Sequence, residues 1–261
     1  MKHVLSCLAV FLALSSLPVP AQNAAPNKQE QSVDDQSTYA ADYKAAAQMQ
    51  QALKDNDRQT VVNLIHFPLI REQPLLPIAS ASEFLRHWDE YFDAPTIKTL
   101  LATKAEQYGW RGIAMANGMV WFANGRVQSI NSGAAAYAVA LTEAKVRESR
   151  SLYPAARGYD SIAFQCNTKV LHVRVQYHGE DLRYFAWKRG AKLSTKPALE
   201  LKSGVYDAQG SGGNHTISFN YNGLVYQLVV THICGEDCNN YLIVAKGEKA
   251  ISRQVCKEAD Q

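Results

Sequence analysis

The amino-acid sequence predicts an α+β protein in which helices and a curled antiparallel sheet precede an antiparallel all-β part held by disulfides. Three observations support this fold class. Apolar residues recur at helical spacing in residues 39–54 and 80–92, and two Asn-Gly pairs divide residues 110–131 into short strands. From residue 158 onward the apolar pattern has a period of two, which is typical of strands.

The first 38 residues have the character of an export leader. Lys2 supplies a basic end, residues 8–14 are apolar, and Val19-Pro20-Ala21 offers the small residues of a cleavage site. The apolar run is shorter than the roughly 20 residues that a membrane span needs. We therefore expect residues 1–21 to be a cleaved signal peptide, residues 22–38 to be a flexible leader, and the protein to be periplasmic or secreted in a bacterium, without a membrane anchor.

The charge of the mature chain is small. The full chain has 27 basic and 24 acidic residues, and cleavage removes Lys2, which leaves a net charge of about +2. This balance gives no reason to expect a nucleic-acid partner or a polybasic membrane contact.

Four cysteines remain after cleavage, which in an exported chain indicates two disulfides. Three pairings are open, and the sequence does not choose among them. We favour Cys166 with Cys256, which closes the all-β part end to end, and Cys234 with Cys238, which closes a tight turn. A metal or redox role for Cys234-x-x-x-Cys238 is the rival interpretation. Zinc sites need further ligands and redox pairs prefer two intervening residues, so no metal and no cofactor are expected.

Local signals divide the N-terminal part into elements. Residues 39–54 form an amphipathic pattern, and Asp57 is placed to cap a short second helix through Ile65. Ser80-x-x-Glu83 is a capping box for a third helix. Its large apolar residues share one face, namely Phe84, Leu85, Trp88 and Phe92.

Two tight turns set the register of the following strands. With hairpins at Asn117-Gly118 and Asn124-Gly125, Met115 lies opposite Val120, and Phe122 lies between Ile113 and Val127. The opposite face then has Ala114, Ala116, Met119, Trp121 and Ile130. Because both faces are largely apolar, we expect a sheet that is covered on both sides or curls around a cavity.

Residues 39–133 resemble the cone-shaped NTF2-like fold. The resemblance rests on Phe67-Pro68-Leu69, the Glu83-Phe84 helix, Gly118-x-Val120-Trp121-Phe122, and Gly125-Arg126-Val127-x-x-Ile130-Asn131. It implies a cone in which Ala114, Met119 and Trp121 line a cavity for a small apolar ligand.

Some NTF2-like proteins are isomerases or dehydratases that use an acidic residue or a histidine inside the cone. Residues 110–131 contain no Asp, Glu or His, so the sheet offers no general base. His66, Asp89 and Asp93 are conceivable bases on other elements. We expect no catalytic residues and no enzymatic activity.

Residues 134–157 predict a solvated connecting helix and linker. The segment is rich in alanine, continues in alternating charge and is stopped by Pro154. In residues 158–257, Val173 and Val175 alternate with His172 and Arg174, and we expect the His172 side of this strand to face solvent. About seven such strands predict a small antiparallel barrel or sandwich.

Residues 207–215 form a glycine-rich turn that would display Ser211, Asn214 and His215. The surrounding layout, with Phe164-x-Cys166 before this turn and Cys256 after it, resembles periplasmic lysozyme inhibitors of the MliC type. This resemblance implies that Ser211, Gly212 and Gly213 form a loop that enters the cleft of a wall-degrading enzyme. Here Gly-Gly replaces the usual Ser-x-Ser-Gly spacing. Residues 182–215 also resemble a module of uncharacterised exported bacterial proteins.

Two functions remain open. The first is an exported, non-enzymatic inhibitor or immunity factor that binds a cell-envelope hydrolase through Ser211–His215. The alternative is a small-ligand carrier or sensor that uses the cone. The two differ in where the partner binds. Catalysis is disfavoured because Ser211 and His215 are too close in sequence to be a typical triad pair, and no Gly-x-Ser-x-Gly elbow is present.

Overall fold

A computed structural model describes residues 38–210, 212–234 and 238–258 of the 261-residue chain. The predicted signal peptide, residues 22–37 of the leader, and Ser211 lie outside the described residues. Within the described ranges, no helix combines the length and apolar character that crossing a membrane requires.

The N-terminal helices begin at polar caps that the sequence contains. They are α1 (Ala40–Lys54), α2 (Arg58–Asn63), α3 (Ala81–Arg86), a 3-10 turn (Trp88–Glu90) and α4 (Ala94–Ala102). As predicted, Asp57 accepts a hydrogen bond from the Thr60 backbone N–H, and Ser80 accepts one from the Glu83 N–H. Helix α4 was not predicted, although Asp93 caps it through the Thr96 N–H.

A four-stranded antiparallel sheet follows and is called the N-terminal sheet. Its order is β1 (Glu106–Gln107), β2 (Ile113–Met115), β3 (Val120–Ala123) and β4 (Arg126–Ile130). The predicted register is confirmed, because Met115 pairs with Val120, and Phe122 pairs with Ile113 and Val127.

Ile130 lies on the opposite face from the one predicted. The register between β3 and β4 shifts between Trp121 and Phe122, so Trp121 pairs with Ser129 and Val120 with Ile130. Such a bulge reverses the face of every later residue in the strand. Ile130 therefore joins the core between the sheet and the helices, together with Met49, Ile65 and Phe84.

The remaining chain forms helix α5 (Ala135–Ser149), a 3-10 turn (Pro154–Ala156) and two five-stranded antiparallel sheets. Their strands are β5 (Ser161–Asn167), β6 (Leu171–His178), β7 (Asp181–Lys188), β8 (Leu199–Leu201), β9 (Val205–Ala208), β10 (His215–Tyr221), β11 (Leu224–Val230), β12 (Tyr241–Lys246), β13 (Lys249–Val255) and β14 (Lys257–Glu258). One sheet, called the Cys166 sheet, has the order β14-β5-β6-β7-β8, and the other, called the loop sheet, has the order β13-β12-β11-β10-β9.

The two sheets share one apolar core. Phe164, Val173 and Tyr184 from the Cys166 sheet join Phe219 and Leu228 from the loop sheet. The sequence left a barrel or a sandwich open. Among the described strands no closed barrel is formed, because the two sheets are separate hydrogen-bonded units that meet through side chains.

The cysteines pair as favoured from the sequence. Cys166 is bonded to Cys256, ninety positions later, and this pair is called the long-range disulfide. Cys234 is bonded to Cys238, four positions later, and this pair is called the short-range disulfide. Disulfides of this kind fit a non-reducing environment.

The outer face of the Cys166 sheet differs from the expected solvent-exposed face. Arg174 and Gln176 are fully buried, and His172 is partly buried. The covering layer includes the last turn of α5 and the apolar residues Leu152 and Tyr159. Helix α5 is consequently more than a solvated spacer, because its Glu148 forms an ion pair with Arg174.

Candidate functional site

An open cleft lies where the N-terminal sheet meets the glycine-rich turn. It has a volume of about 510 Å³ and is called the Trp cleft. Its lining residues come from three distant parts of the chain, and they are Trp110, Arg111, Trp121, Ser129, Gly212, Gly213 and Ile233. The cleft therefore combines a predicted cavity residue with two residues of the predicted binding loop.

Trp121 is held in place by its neighbours in the N-terminal sheet. It pairs with Ala114 on one side and with Ser129 on the other. A Cβ atom at Gly118 would lie 3.3 Å from the indole ring, and the ring centroid of Tyr108 lies 5.5 Å away. The indole is thus packed along one edge and contributes its remaining surface to the cleft.

Trp110 and Arg111 lie in a short 3-10 turn between β1 and β2. Gly109, the first residue of this turn, and Gly112, which follows the turn, have φ values of +56° and +101°, a region that favours glycine. Trp110 is 61% exposed, and the Arg111 guanidinium carbon lies 5.9 Å from its ring centroid. The chain thus presents a large aromatic side chain to solvent at the cleft.

Asn214 fixes the glycine-rich turn to the segment that contains Ile233. Its Oδ1 accepts hydrogen bonds from the backbone N–H groups of His232 (2.7 Å) and Ile233 (2.8 Å). Its Nδ2 donates to the Ile233 carbonyl oxygen at 2.8 Å. The predicted display of this side chain is therefore wrong, because its polar atoms are used inside the protein.

His215 is also not displayed. Its Nδ1 lies 2.8 Å from the Gly213 carbonyl oxygen, and its ring stacks on Tyr206 with centroids 4.8 Å apart. The residue is 8% exposed because it begins β10, where it pairs with strands on both sides. Its side chain therefore contacts the backbone of the glycine-rich turn from inside the protein.

The two glycines of the turn allow its close approach to Ile233. A Cβ atom at Gly212 would lie 2.6 Å from the Ile233 Cδ1, which is closer than real side chains approach. Gly213 has a φ of +85°. Ile233 remains 45% exposed and forms an apolar wall of the cleft.

The other predicted site residues do not line the Trp cleft. Ala114 is fully buried in the N-terminal sheet, and Met119 packs against the core between that sheet and the helices. The conceivable bases His66, Asp89 and Asp93 lie elsewhere, and Asp93 is committed to capping α4. Hydrogen bonds from Thr96 hold the pKa of the Asp93 carboxyl below its usual value.

Sequence reasoning missed four lining residues, namely Trp110, Arg111, Ser129 and Ile233. The pattern Gly109-Trp110-Arg111-Gly112, an aromatic residue between two glycines, was an available signal for an exposed turn. Ile233 had no local signal, since its exposure follows from the tether through Asn214.

The described residues include no group of three or more His, Cys, Asp or Glu side chains that could hold a metal ion. The side chains at the Trp cleft include two indoles, one guanidinium and one aliphatic wall. Comparisons with protein-family models, curated proteins and solved structures find no match to this chain.

Proposed function

We propose that the protein is an exported, non-enzymatic binding protein that receives a segment of a partner protein in the Trp cleft. The partner that we propose is an exported hydrolase of the cell envelope, which the protein neutralises as an inhibitor or immunity factor. The main observation in support of this proposal is that Trp110 and Trp121 line the same open cleft as the Gly212-Gly213 turn.

The composition of the cleft favours a protein partner. Tryptophan and arginine are the residue types that most often dominate the binding energy of protein interfaces. Trp110 and Ile233 are large apolar side chains exposed to solvent at the same cleft, and grouped exposure of this kind marks interaction sites. The hydrogen bonds of Asn214 hold the turn in place before binding, which reduces the entropy lost on association.

The inhibitor assignment also rests on the resemblance to MliC-type lysozyme inhibitors. In that comparison, Gly212 and Gly213 correspond to the inhibitory loop, and both line the Trp cleft. We infer further that residues 39–133 form an NTF2-like cone and that the protein resides in the periplasm or is secreted. Helices followed by a four-stranded antiparallel sheet support the first inference, and the two disulfides support the second.

A small apolar ligand is the second candidate for the same cleft. The volume of about 510 Å³ lies within the range of roughly 300–1,000 Å³ that is usual for small-molecule sites. Trp121, which is packed along one edge, would form the surface on which such a ligand stacks.

The test measures inhibition directly. Mature protein, residues 22–261, is titrated against a panel of exported muramidases, amidases and endopeptidases acting on purified cell wall. A Trp110→Ala variant should weaken inhibition about tenfold or more if Trp110 is an interface anchor. Ile251→Ala is the matched control, since Ile251 is also exposed but lies on β13 and does not line the cleft.

Inhibition of one hydrolase that is lost in Trp110→Ala and kept in Ile251→Ala supports the proposal. Absence of inhibition across the panel, combined with Trp110-dependent binding of an apolar fluorescent dye, would replace it with the small-ligand function. If Trp110→Ala and Ile251→Ala both inhibit the hydrolase as well as the unchanged protein does, the partner binds outside the Trp cleft.

A further inference from the structure

A second cleft lies between helix α5 and residues 71–90. Its volume is about 520 Å³, and it is called the Arg71 cleft. The residues that matter for its chemistry are Arg71, Leu75, Glu83, His87, Glu143 and Arg147. It shares no lining residue with the Trp cleft.

Arg71 is a buried cation with an unused donor. Its side chain is 5% exposed, and its Nη2 forms an ion pair with Glu90. The guanidinium carbon lies 6.0 Å and 5.6 Å from the ring centroids of Tyr91 and Tyr137. The Nε atom is buried and has no hydrogen-bond partner among the described residues. The Nη1 atom has no hydrogen-bond partner among these residues either and is not closed off from solvent, so it is the Arg71 donor that a ligand in the cleft can reach.

Glu90 holds the neighbouring groups in position. One of its carboxylate oxygens lies 2.7 Å from the Nδ1 atom of His87, and the other pairs with Arg71. The Ser132 hydroxyl donates to the Glu90 backbone carbonyl oxygen at 2.5 Å. Both oxygens of Glu90 are therefore occupied. A carboxylate can only accept, so the His87 ring donates to Glu90 through Nδ1.

The rim of the cleft has charges that the protein does not pair internally. Within the described residues, the side chains of Glu143 and Arg147 form no hydrogen bond and no ion pair. Glu83 accepts one hydrogen bond, from the Ala79 backbone N–H, through a single carboxylate oxygen. The groups left for a ligand thus comprise the Glu143 carboxylate, the second carboxylate oxygen of Glu83 and the Arg147 guanidinium, beside the Arg71 Nη1 donor.

This set of groups excludes the simplest ligands. A purely anionic ligand would satisfy Arg71 and Arg147 but would meet Glu83 and Glu143 with like charge. A purely cationic ligand would leave the accessible Arg71 donor without an acceptor and would meet Arg147 with like charge. A ligand with both a carboxylate and a protonated amine satisfies the two kinds of group at once, and Leu75 offers an apolar contact for its side chain.

We propose that the Arg71 cleft binds a small zwitterion, namely a free α-amino acid or a dipeptide. Its carboxylate accepts a hydrogen bond from Arg71 Nη1 and lies near Arg147. Its ammonium group faces Glu83 and Glu143. The proposal is independent of the function proposed for the Trp cleft, since the two clefts use different residues.

The test is calorimetric titration of the mature protein with single amino acids and dipeptides, each compared with its carboxamide and its N-acetyl derivative. The expected result is saturable binding of at least one zwitterion below about 1 mM, with both derivatives weaker by about tenfold or more. Blocking either charged group removes one of the two contacts.

Three variants locate the site. Arg71→Lys keeps the positive charge beside Glu90 but removes the Nη1 donor, and Glu143→Gln changes a rim residue that forms no hydrogen bond or ion pair within the described residues. Both should weaken zwitterion binding, whereas Arg150→Gln, an exposed substitution at the C-cap of α5, should not. Because Glu143→Gln leaves the buried ion pair intact, its effect does not depend on how well Arg71→Lys folds.

Three outcomes would overturn the proposal. One is the absence of binding below about 1 mM across the panel. A second is equal binding by the zwitterion and its carboxamide. The third is binding that survives Glu143→Gln and Arg71→Lys but is lost in Trp110→Ala, which would assign the ligand to the Trp cleft.

Discussion

Replacing Glu148 with glutamine tests whether α5 is anchored to the Cys166 sheet by a buried ion pair. Arg174 is fully buried, and its two Nη atoms donate to the Glu148 oxygens at 2.9 Å and 2.8 Å. The Arg174 side chain also donates to Gln165 and Gln176. Glu148→Gln retains the shape and one acceptor but leaves the Arg174 charge buried without a counterion.

The expected loss in the free energy of unfolding is about 3 kcal/mol. Removing one partner of a buried pair typically costs about 3–5 kcal/mol. The lower end applies because the Glu148 side chain is 24% exposed, so that water screens part of the interaction. For a folded unit of this size, a change of about 3 kcal/mol lowers Tm by about 6–12 °C.

The assay is urea denaturation followed by circular dichroism at pH 7, with unchanged m-values as the criterion for comparing free energies. Glu143→Gln, on the same helix but without an internal partner, is the matched control and should stay within about 0.5 kcal/mol of the wild type. The double variant Glu148→Leu with Arg174→Met should recover much of the loss, because it removes both charges together.

A loss below about 1 kcal/mol for Glu148→Gln would contradict the reasoning, since that is the value of an exposed pair. A double variant that is less stable than Glu148→Gln would show that the polar contacts of Arg174 to Gln165 and Gln176 matter more than its charge.

Three further predictions concern stability. Gly204→Ala should lose about 1–3 kcal/mol, because a Cβ atom there overlaps the Phe219 ring, whereas a Cβ at Gly133 meets open space; equal effects in the two variants would contradict this. Removing the long-range disulfide by paired alanine substitutions should cost about 4.6 kcal/mol, against about 1.9 kcal/mol for the short-range one, by the chain-entropy relation; denaturation midpoints that rank the two in the opposite order would refute it. Burial, and then the nearby Arg174 charge, lower the pKa of His172 in the folded protein. As pH falls below about 6.5, the usual pKa of histidine, this side chain is therefore protonated in the unfolded chain before it is protonated in the folded one. The free energy of unfolding should therefore fall between pH 7 and pH 5, and His172→Gln should flatten this dependence; an unaltered slope would exclude His172 as the cause.

The features predicted correctly from the sequence are those that short segments determine. An Asn-Gly turn fixes which residues face each other in a hairpin, so the register of Met115 and Phe122 followed from a few residues. Capping by Asp57 and Ser80 is equally local. The face predicted for Ile130 is wrong because a single β-bulge reverses the alternation of side chains along the strand. No residue type in β4 indicates a bulge.

Features that depend on distant segments could not be predicted in this way. A period of two shows that Arg174 and Val173 face opposite sides of a sheet, but not that the end of α5 covers the Arg174 side. Similarly, the glycine-rich turn was recognisable, whereas its position beside Trp110 and Trp121 depends on the packing of three separate parts of the chain. The Arg71 cleft could not be predicted from short segments either, since Arg71 and Arg147 are far apart in sequence.

The long-range disulfide has a consequence for the order of events during biosynthesis. Cys166 lies in β5, and its partner Cys256 follows β13, so the two thiols are ninety positions apart in the chain. In a chain that enters an oxidising compartment N-terminus first, Cys166 arrives before its partner. During that interval Cys234 and Cys238 are the competing thiols, and they emerge first. Because these two are only four residues apart, their rapid closure withdraws both from competition and leaves Cys256 as the remaining partner for Cys166.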